Sequence, residues 1–309
     1  MTATGKAFWQ IHFCVLLWGF TAILGKLISL PALALVCWRM ALVAGTLVLV
    51  PKVWRGLRRL PLRLYGVYAG IGAIVALHWL TFYSAIKLSN ASVAVSCMAL
   101  GSIFAAVIEP LVAARRFDTR ELALGVAVVP GIVLLVGGVP TAMHLGIAIG
   151  VLSSFLTALF STLNKRYVYR ADPLTVTFVE LGAGTAFLVL AAPLLPNAGA
   201  LFPVPGVRDA LLLLALAMGC TLLPFTLSLV ALRKISAFAT QLALNLEPVY
   251  AIVLAALLLG EQRELSSQFY FGVAIILSAV FAHPLLSRQP PHPPTAEVLA
   301  TAEAKNLAE

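Results

Sequence analysis

The chain has 309 residues, of which 61% are hydrophobic and only 11% are charged, and its formal net charge is +9 at pH 7. Soluble domains average about 45–50% apolar and about 25% charged residues, so this composition excludes a soluble globular protein and indicates an integral membrane protein. The basic residues lie in short breaks between apolar runs rather than in one cluster, so the positive charge does not predict a nucleic-acid partner.

Apolar segments long enough to cross a bilayer, which takes about 20 residues, follow one another along almost the whole chain. The first is too long for the apolar part of a signal peptide and is expected to be a retained span. The tail after residue 287 is rich in Pro and then in Ala and Glu, and it is predicted to be a disordered cytoplasmic segment. The predicted spans are 8–30, 32–51, 64–84, 91–114, 121–139, 144–164, 173–195, 208–231, 236–259 and 265–286.

The distribution of basic residues predicts the orientation in the membrane. With ten spans, sixteen of the 21 Lys and Arg residues fall in the loops and termini on the side of the N terminus, and three fall on the other side. Positive charge accumulates on the cytoplasmic side of membrane proteins, so both termini are expected in the cytoplasm.

Two stretches, one beginning at Ala85 and one at Ala231, match at an offset of 146 positions. Lys87 corresponds to Arg233 and Phe104 to Tyr250. The similarity predicts two five-helix repeats, at 1–140 and 141–287, followed by the tail at 288–309. Because five is odd, the second repeat enters the membrane from the opposite side, and inverted repeats of this kind are typical of alternating-access carriers.

Ionisable residues inside spans are costly, so they mark candidate sites in the bundle interior. Arg39 lies in the second span, and Glu180 lies in the seventh at a roughly related position of the repeat. The two groups could form an interhelical ion pair that only holds the repeats together, or they could bind the two ends of a zwitterion.

Glu247 and Pro248 interrupt the apolar ninth span. A proline in a helix frees the carbonyl four residues before it, which a membrane tolerates only beside protein or cavity water. Gln241 and Asn245 share one face of this helix with Pro248, so we expect a hydrated cavity there. Glu247 could couple transport to protons or could serve a structural role.

Aromatic and small residues complete the candidate site. Trp79 and Tyr83 share a helix face, and we expect them to line a cavity with Trp18, while the adjacent His78 is a further lining candidate. Small residues recur along one face of the sixth span from Gly146 to Asn164, which predicts close helix packing.

Four segments carry a resemblance to a known family: LLWGFTAILGKL from residue 16, ALVCWRMALVAG from residue 34, AIKLSNASVAVSCMALGSIFAAVIEPL from residue 85 and ALRKISAFATQLALNLEPVYAIVLAALLLGEQ from residue 231. They resemble the EamA-like branch of the drug/metabolite transporter superfamily. The first repeat departs from the family pattern, because Arg115 stands where the closing Glu of the second repeat is Glu261.

The resemblance implies an all-α protein of ten transmembrane helices that exports small metabolites, such as amino acids or amphipathic compounds, across a bacterial inner membrane. The expected partners are a small-molecule substrate and membrane lipid. Coupling to protons or facilitated diffusion, and a homodimer, are left open, and neither nucleic acid nor a cofactor or metal is expected. Two alternatives stand beside the carrier: a membrane-embedded enzyme, for which the chain has no H-E-x-x-H or G-x-S-x-G motif, and a receptor that binds its ligand without transporting it. The candidate substrate-binding residues are Trp18, Arg39, His78, Trp79, Glu180, Gln241, Asn245 and Glu247.

Overall fold

The computed structural model describes residues 3–113, 119–167, 169–194, 199–231 and 246–286, and every regular element within these ranges is helical. The predicted tail, Gln241 and Asn245 lie outside them. A π-helical stretch, Ala215–Leu222, joins the α-helices Val207–Leu214 and Leu223–Ala231. Numbered in chain order, the helices are α1 (Ala3–Leu27), α2 (Ala32–Val48), α3 (Pro51–Arg59), α4 (Leu62–Leu88), α5 (Ala91–Met98), α6 (Gly101–Ala113), α7 (Thr119–Gly137), α8 (His144–Tyr167), α9 (Pro173–Ala191), α10 (Val207–Leu214), α11 (Leu223–Ala231), α12 (Glu247–Leu259) and α13 (Ser267–Leu286).

Within the described ranges, five segments are long and apolar enough to cross a membrane, or seven if each of two bent helix pairs counts as one span. The bent pairs are α2 with α3, at 90°, and α5 with α6, at 41°. Three shorter apolar helices fall within the fifth, ninth and tenth predicted spans. The full set of ten is therefore not established. The long spans are Trp9–Leu27, Leu62–Leu88, Thr141–Tyr167, Pro173–Leu194 and Val207–Ser228.

The sharp turn after α2 has a local cause. Pro51 opens α3, and a residue that precedes proline is pushed out of the helical region into extended backbone. Val50 accordingly has φ −94° and ψ 111°. The second predicted span, 32–51, therefore ends at Val48, and the basic helix α3 leaves the bundle at a right angle.

Helix α4 lies against both α8 and α9 in the centre of the bundle. A Cβ atom placed on Gly72 of α4 would lie 2.1 Å from the carbonyl oxygen of Glu180, and one placed on Gly184 of α9 would lie 2.6 Å from the carbonyl oxygen of Gly72. The α4 and α9 backbones are therefore in direct contact. Small residues at such crossings allow helices in a membrane to approach this closely. We call this crossing the α4–α9 seam.

The small residues of α8 pack as the sequence predicts. A Cβ atom on Gly146 would lie 2.8 Å from Cβ of Ser89, and one on Gly150 would lie 3.0 Å from Sγ of Cys97. Helix α8 thus packs closely against the end of α4 and against α5.

Glu261 connects the two halves of the chain at one end of the bundle. Its side chain is 2% exposed, and its carboxylate accepts hydrogen bonds from the backbone N–H of Ala91 at 2.9 Å and from the backbone N–H and hydroxyl of Ser92 at 2.8 and 2.7 Å. These N–H groups open α5 and have no partner within that helix. Asn90 completes the cap by accepting from the N–H of Val93 at 2.9 Å. The carboxylate therefore binds a helix start that is about 170 residues away in the chain.

The α4–α9 seam predicts a sharp difference between two glycines of one helix. Replacing Gly72 by Ala forces the α4 and α9 backbones apart, and we expect a loss of about 1–3 kcal/mol in the free energy of unfolding. Gly70→Ala is the matched control, because its added Cβ meets nothing within 4 Å. Thermal unfolding of both variants in the same detergent tests this, and equal melting temperatures would contradict the seam.

The cap on α5 predicts that Glu261→Gln destabilises the protein, because one acceptor oxygen becomes an amide that donates towards groups that are themselves donors. Leaving buried donors unpaired costs about 1–3 kcal/mol. Glu264→Gln is the control, since the exposed Glu264 accepts one bond at 3.3 Å, from Asn90. Chemical denaturation in lipid–detergent micelles should show the loss in the first variant only.

Candidate functional site

Arg39 is the most deeply buried basic residue of the described chain, with 1% of its side chain exposed. It lies in α2, and its guanidinium donates from Nε to the hydroxyl of Thr221 at 2.6 Å and from Nη1 to the hydroxyl of Tyr83 at 2.6 Å. Nη2 points to the carbonyl oxygen of Cys220 at 3.4 Å. The guanidinium is therefore oriented by three neutral oxygens, and two of its five N–H groups have no partner among these contacts.

Trp79 and Tyr83 form an aromatic wall beside this guanidinium. Cζ of Arg39 lies 3.9 Å from the centroid of the Trp79 ring and 5.6 Å from that of the Tyr83 ring. A desolvated cation over the face of a Trp ring gains about 2 kcal/mol. The Tyr83 ring also packs directly on Gly25 of α1, where an added Cβ would lie 2.3 Å from the ring. The predicted face of Trp79 and Tyr83 thus turns to Arg39.

Two of the oxygens that bind Arg39, the hydroxyl of Thr221 and the carbonyl of Cys220, belong to an irregular stretch of helix in the second half of the chain. Pro224 has no N–H to donate to the carbonyl of Cys220 four residues earlier, so this carbonyl is left free for Arg39. The hydroxyl of Thr221 donates to the carbonyl of Leu216 at 2.7 Å, five residues back, within the π-helical stretch. Single π-helical turns often occur at functional sites because they redirect such groups.

Glu247 brings the opposite charge to the same region. It opens α12, is partly buried, and interacts electrostatically with Arg39. No carboxylate oxygen of the described residues lies within 4 Å of the guanidinium, so the two charges are within electrostatic range but form no ion pair. Pro248 lies in the first turn of α12, where a missing N–H is tolerated. The predicted kink involves Leu244, which lies outside the described residues.

The remaining candidates occupy other parts of the bundle. Trp18 is partly buried and packs against a buried cluster of Ile11, Cys14, Val15 and Ala231, where α1 meets α11. Nδ1 of His78 lies 2.8 Å from the hydroxyls of both Ser153 and Thr157, which ties α4 to α8. His78 therefore makes a helix-to-helix contact on a different side of α4 from the Arg39 wall.

Glu180 does not pair with Arg39, so the interhelical ion pair, one of the two alternatives left open by the sequence, does not form in this structure. Its side chain is fully buried, Oε2 accepts from the amide of Asn164 at 3.3 Å, and Oε1 has no hydrogen-bond partner. The repeat correctly places both residues in the interior but does not give their depth or direction. The partners of Arg39 come instead from Thr221 and Cys220, which are neutral and carry no signal in the sequence.

A separate groove of about 440 Å³ runs along the outside of α4 and α9, with an almost wholly apolar lining that includes Tyr65, Gly66 and Gly182. None of the predicted site residues lines it. The four cysteines are free and buried, and no cluster of three metal-ligating side chains occurs in the described ranges.

Comparison with known proteins adds the family. The model of the EamA-like transporter family matches residues 6–137 and 144–283. One solved crystal structure is similar in fold, with a TM-score of 0.61 and 19% identity over 92% of this chain and 98% of the other. A search of curated proteins gave no match. The two matched segments together span most of the sequence, and the chain belongs to the EamA-like transporter family, within the drug/metabolite transporter superfamily.

Proposed function

We propose that the protein is a carrier that exports a small zwitterionic metabolite, of the amino acid class, by alternating access across a bacterial inner membrane. Arg39 binds the carboxylate of the substrate and Glu247 binds its ammonium group. Family membership supports transport as the activity. The arrangement around Arg39 supports the substrate class.

The observation that carries the proposal is a buried cation within electrostatic range of an anion with which it forms no ion pair. Arg39 is held by neutral oxygens, and Glu247 lies within its electrostatic field but beyond 4 Å. An arrangement that served stability alone would bring the charges together, because an unpaired buried charge is costly. A substrate with one charge of each sign would pair both groups.

The wall beside Arg39 favours an organic carboxylate over a small inorganic anion. The guanidinium keeps two N–H groups for a carboxylate, and paired N–H donors of this kind are well suited to bind both oxygens. Trp79 and Tyr83 offer ring surface to the apolar part of the substrate. Gln241 and Asn245 remain predicted contributors to the same site.

The position of the site fits alternating access. Arg39, Trp79 and Tyr83 belong to the first half of the chain, and Thr221 and Glu247 belong to the second. Carriers built from two repeats place the substrate between the halves, so that rocking one half against the other exposes it to each side in turn. In this structure Arg39 is 1% exposed, so substrate entry requires the halves to separate.

Counterflow in liposomes tests the proposal. Purified protein is reconstituted into vesicles loaded with an excess of one unlabelled amino acid, and uptake of the same labelled amino acid is measured across a panel of amino acids, of the corresponding acids without the amino group, and of nucleosides. We expect uptake of amino acids with an apolar side chain. Arg39→Lys should reduce it at least tenfold, because a hydrogen bond to a charged group is worth about 1.5–3 kcal/mol and lysine cannot reproduce the stacked, forked geometry.

Glu247→Gln separates the two halves of the zwitterion. It should weaken uptake of the amino acid while sparing the acid that lacks the amino group. Arg263→Lys is the control, because Arg263 is exposed at one end of the bundle. Unchanged uptake in Arg39→Lys would refute the carboxylate site, and binding without any flux in the wild type would show a receptor instead of a carrier.

A further inference from the structure

We propose that Glu180 is a proton-binding site whose ionisation opens the α4–α9 seam, so that proton movement is coupled to rocking of the carrier. The proposal deepens the function proposed above and rests on it. It concerns a buried acid that the Arg39 site does not use. No charged residue in the described part of the chain pairs with Glu180.

The surroundings of the carboxyl group allow only its neutral form in this structure. The side chain is 0% exposed, one oxygen accepts a single amide hydrogen bond from Asn164, and the other has no partner. An ionised carboxylate needs several strong donors or a cation, and without them burial costs several kcal/mol. A protonated carboxyl group avoids most of this cost, so the closed seam selects a bound proton.

The charged groups on neighbouring elements are occupied elsewhere. On α4, Tyr68 lies within electrostatic range of Glu180, but its hydroxyl donates to the carbonyl of Tyr167 at 3.0 Å. On α2, Arg39 donates to the oxygens described above. Helix α11, which also packs on α9, contains no ionisable residue.

Lys87 lies at the far end of α4, where it donates to the carbonyl of Ile28. Other cations lie at the bundle end where α4 and α9 begin. Lys52 pairs with Asp172 at 2.7 Å and Lys165 pairs with Glu109. Arg166 donates to the carbonyl of Val112 at 2.8 Å, and Arg170 interacts with Tyr68. No described cation therefore neutralises Glu180, and a proton is the ligand that its chemistry requires.

The position of Glu180 links the proton to movement. The carbonyl oxygen of the same residue is the atom that meets Gly72 at the closest point of the seam. Separation of α4 from α9 at this point would therefore bring water to the residue that carries the carboxyl group. A glutamic acid in water releases its proton well below pH 7. Opening thus favours release, and reprotonation favours closure.

Infrared difference spectroscopy of the protein in lipid detects the proton without any substrate. We expect the carbonyl stretch of a buried protonated carboxylic acid to be present near neutral pH and to disappear as the pH is raised. Glu180→Gln should lose a component of this band that both Glu247→Gln and Glu264→Gln retain. An unchanged band in Glu180→Gln would overturn the assignment, as would its absence from the wild type near neutral pH.

A distance measurement tests the coupling. Spin labels on cysteines introduced at Leu62 and Tyr169, which are 86% and 70% exposed, report on the end of the seam by pulsed electron resonance. A sample without introduced cysteines controls for labelling of the four buried native ones. In the wild type the distance distribution should broaden to longer values as the pH rises. In Glu180→Gln, which carries a permanently neutral side chain, it should stay at the short value at every pH.

A pH-independent distribution in the wild type would refute the coupling even if the infrared band is present. Because neither readout uses a substrate, the result is separable from the counterflow result. If counterflow is normal but Glu180 is unprotonated, or the distance distribution does not depend on pH, only this inference is refuted. Absence of counterflow for every compound tested removes the proposed function and leaves Glu180 as a proton site without a transport role.

Discussion

A polar group inside an apolar helical bundle has no water to bind, and this constraint accounts for most of the specific contacts in the protein. Arg39 meets it with two hydroxyls, a carbonyl and a Trp ring. Glu261 meets it with three donors at the start of α5. Glu180 meets it only in part, and this shortfall is the reason to look for a proton there.

The partners that satisfy these groups come from breaks in regular helices. A regular helix bonds its own carbonyl and N–H groups and leaves none for a neighbour. Pro224 and the π-helical stretch free the carbonyl of Cys220, and the first turn of α5 leaves its N–H groups open for Glu261. The irregular positions of the bundle are therefore where long-range polar contacts form, and the Arg39 site lies at one of them.

The sequence predicts the interior charges well because they are rare in an apolar chain. Arg39 and Glu180 are both buried, Trp79 and Tyr83 share a face through the spacing of four, and the small residues of α8 form a close contact. Helical periodicity gives the face of a residue but not its depth in the membrane. For that reason the sequence could not decide whether Arg39 and Glu180 pair, and in the structure they do not.

The neutral partners of Arg39 could not be predicted from the sequence either. Thr221 and Cys220 differ in no visible way from dozens of other small residues in apolar runs, so only the structure shows that they orient Arg39. The right-angle turn after α2 has a cause that is visible in the sequence, Pro51. The same proline is equally consistent with the end of a straight span, so the sequence alone does not predict the turn.

The two ends of the bundle are held by different kinds of contact, and this difference bears on which end opens more easily. At the end where α1 and α12 finish, carboxylates of the second half bind backbone N–H groups of the first: Glu261 at the start of α5, and Asp209 at Ser29, whose hydroxyl it also accepts at 2.5 Å. At the opposite end the described contacts between halves include the ion pairs of Lys52 with Asp172 and Lys165 with Glu109, in which the lysines are 58% and 44% exposed.

Exposed ion pairs contribute about 0–1 kcal/mol each and are screened by salt, whereas hydrogen bonds to a buried carboxylate are worth about 1.5–3 kcal/mol each. The repeat reinforces the difference. Residue 115, which is 146 positions before Glu261, is an arginine, and a guanidinium has no acceptor with which to bind helix N–H groups. If the two halves rock as proposed, the two states therefore differ in free energy, and the end held by lysine pairs is the one expected to separate at the lower cost.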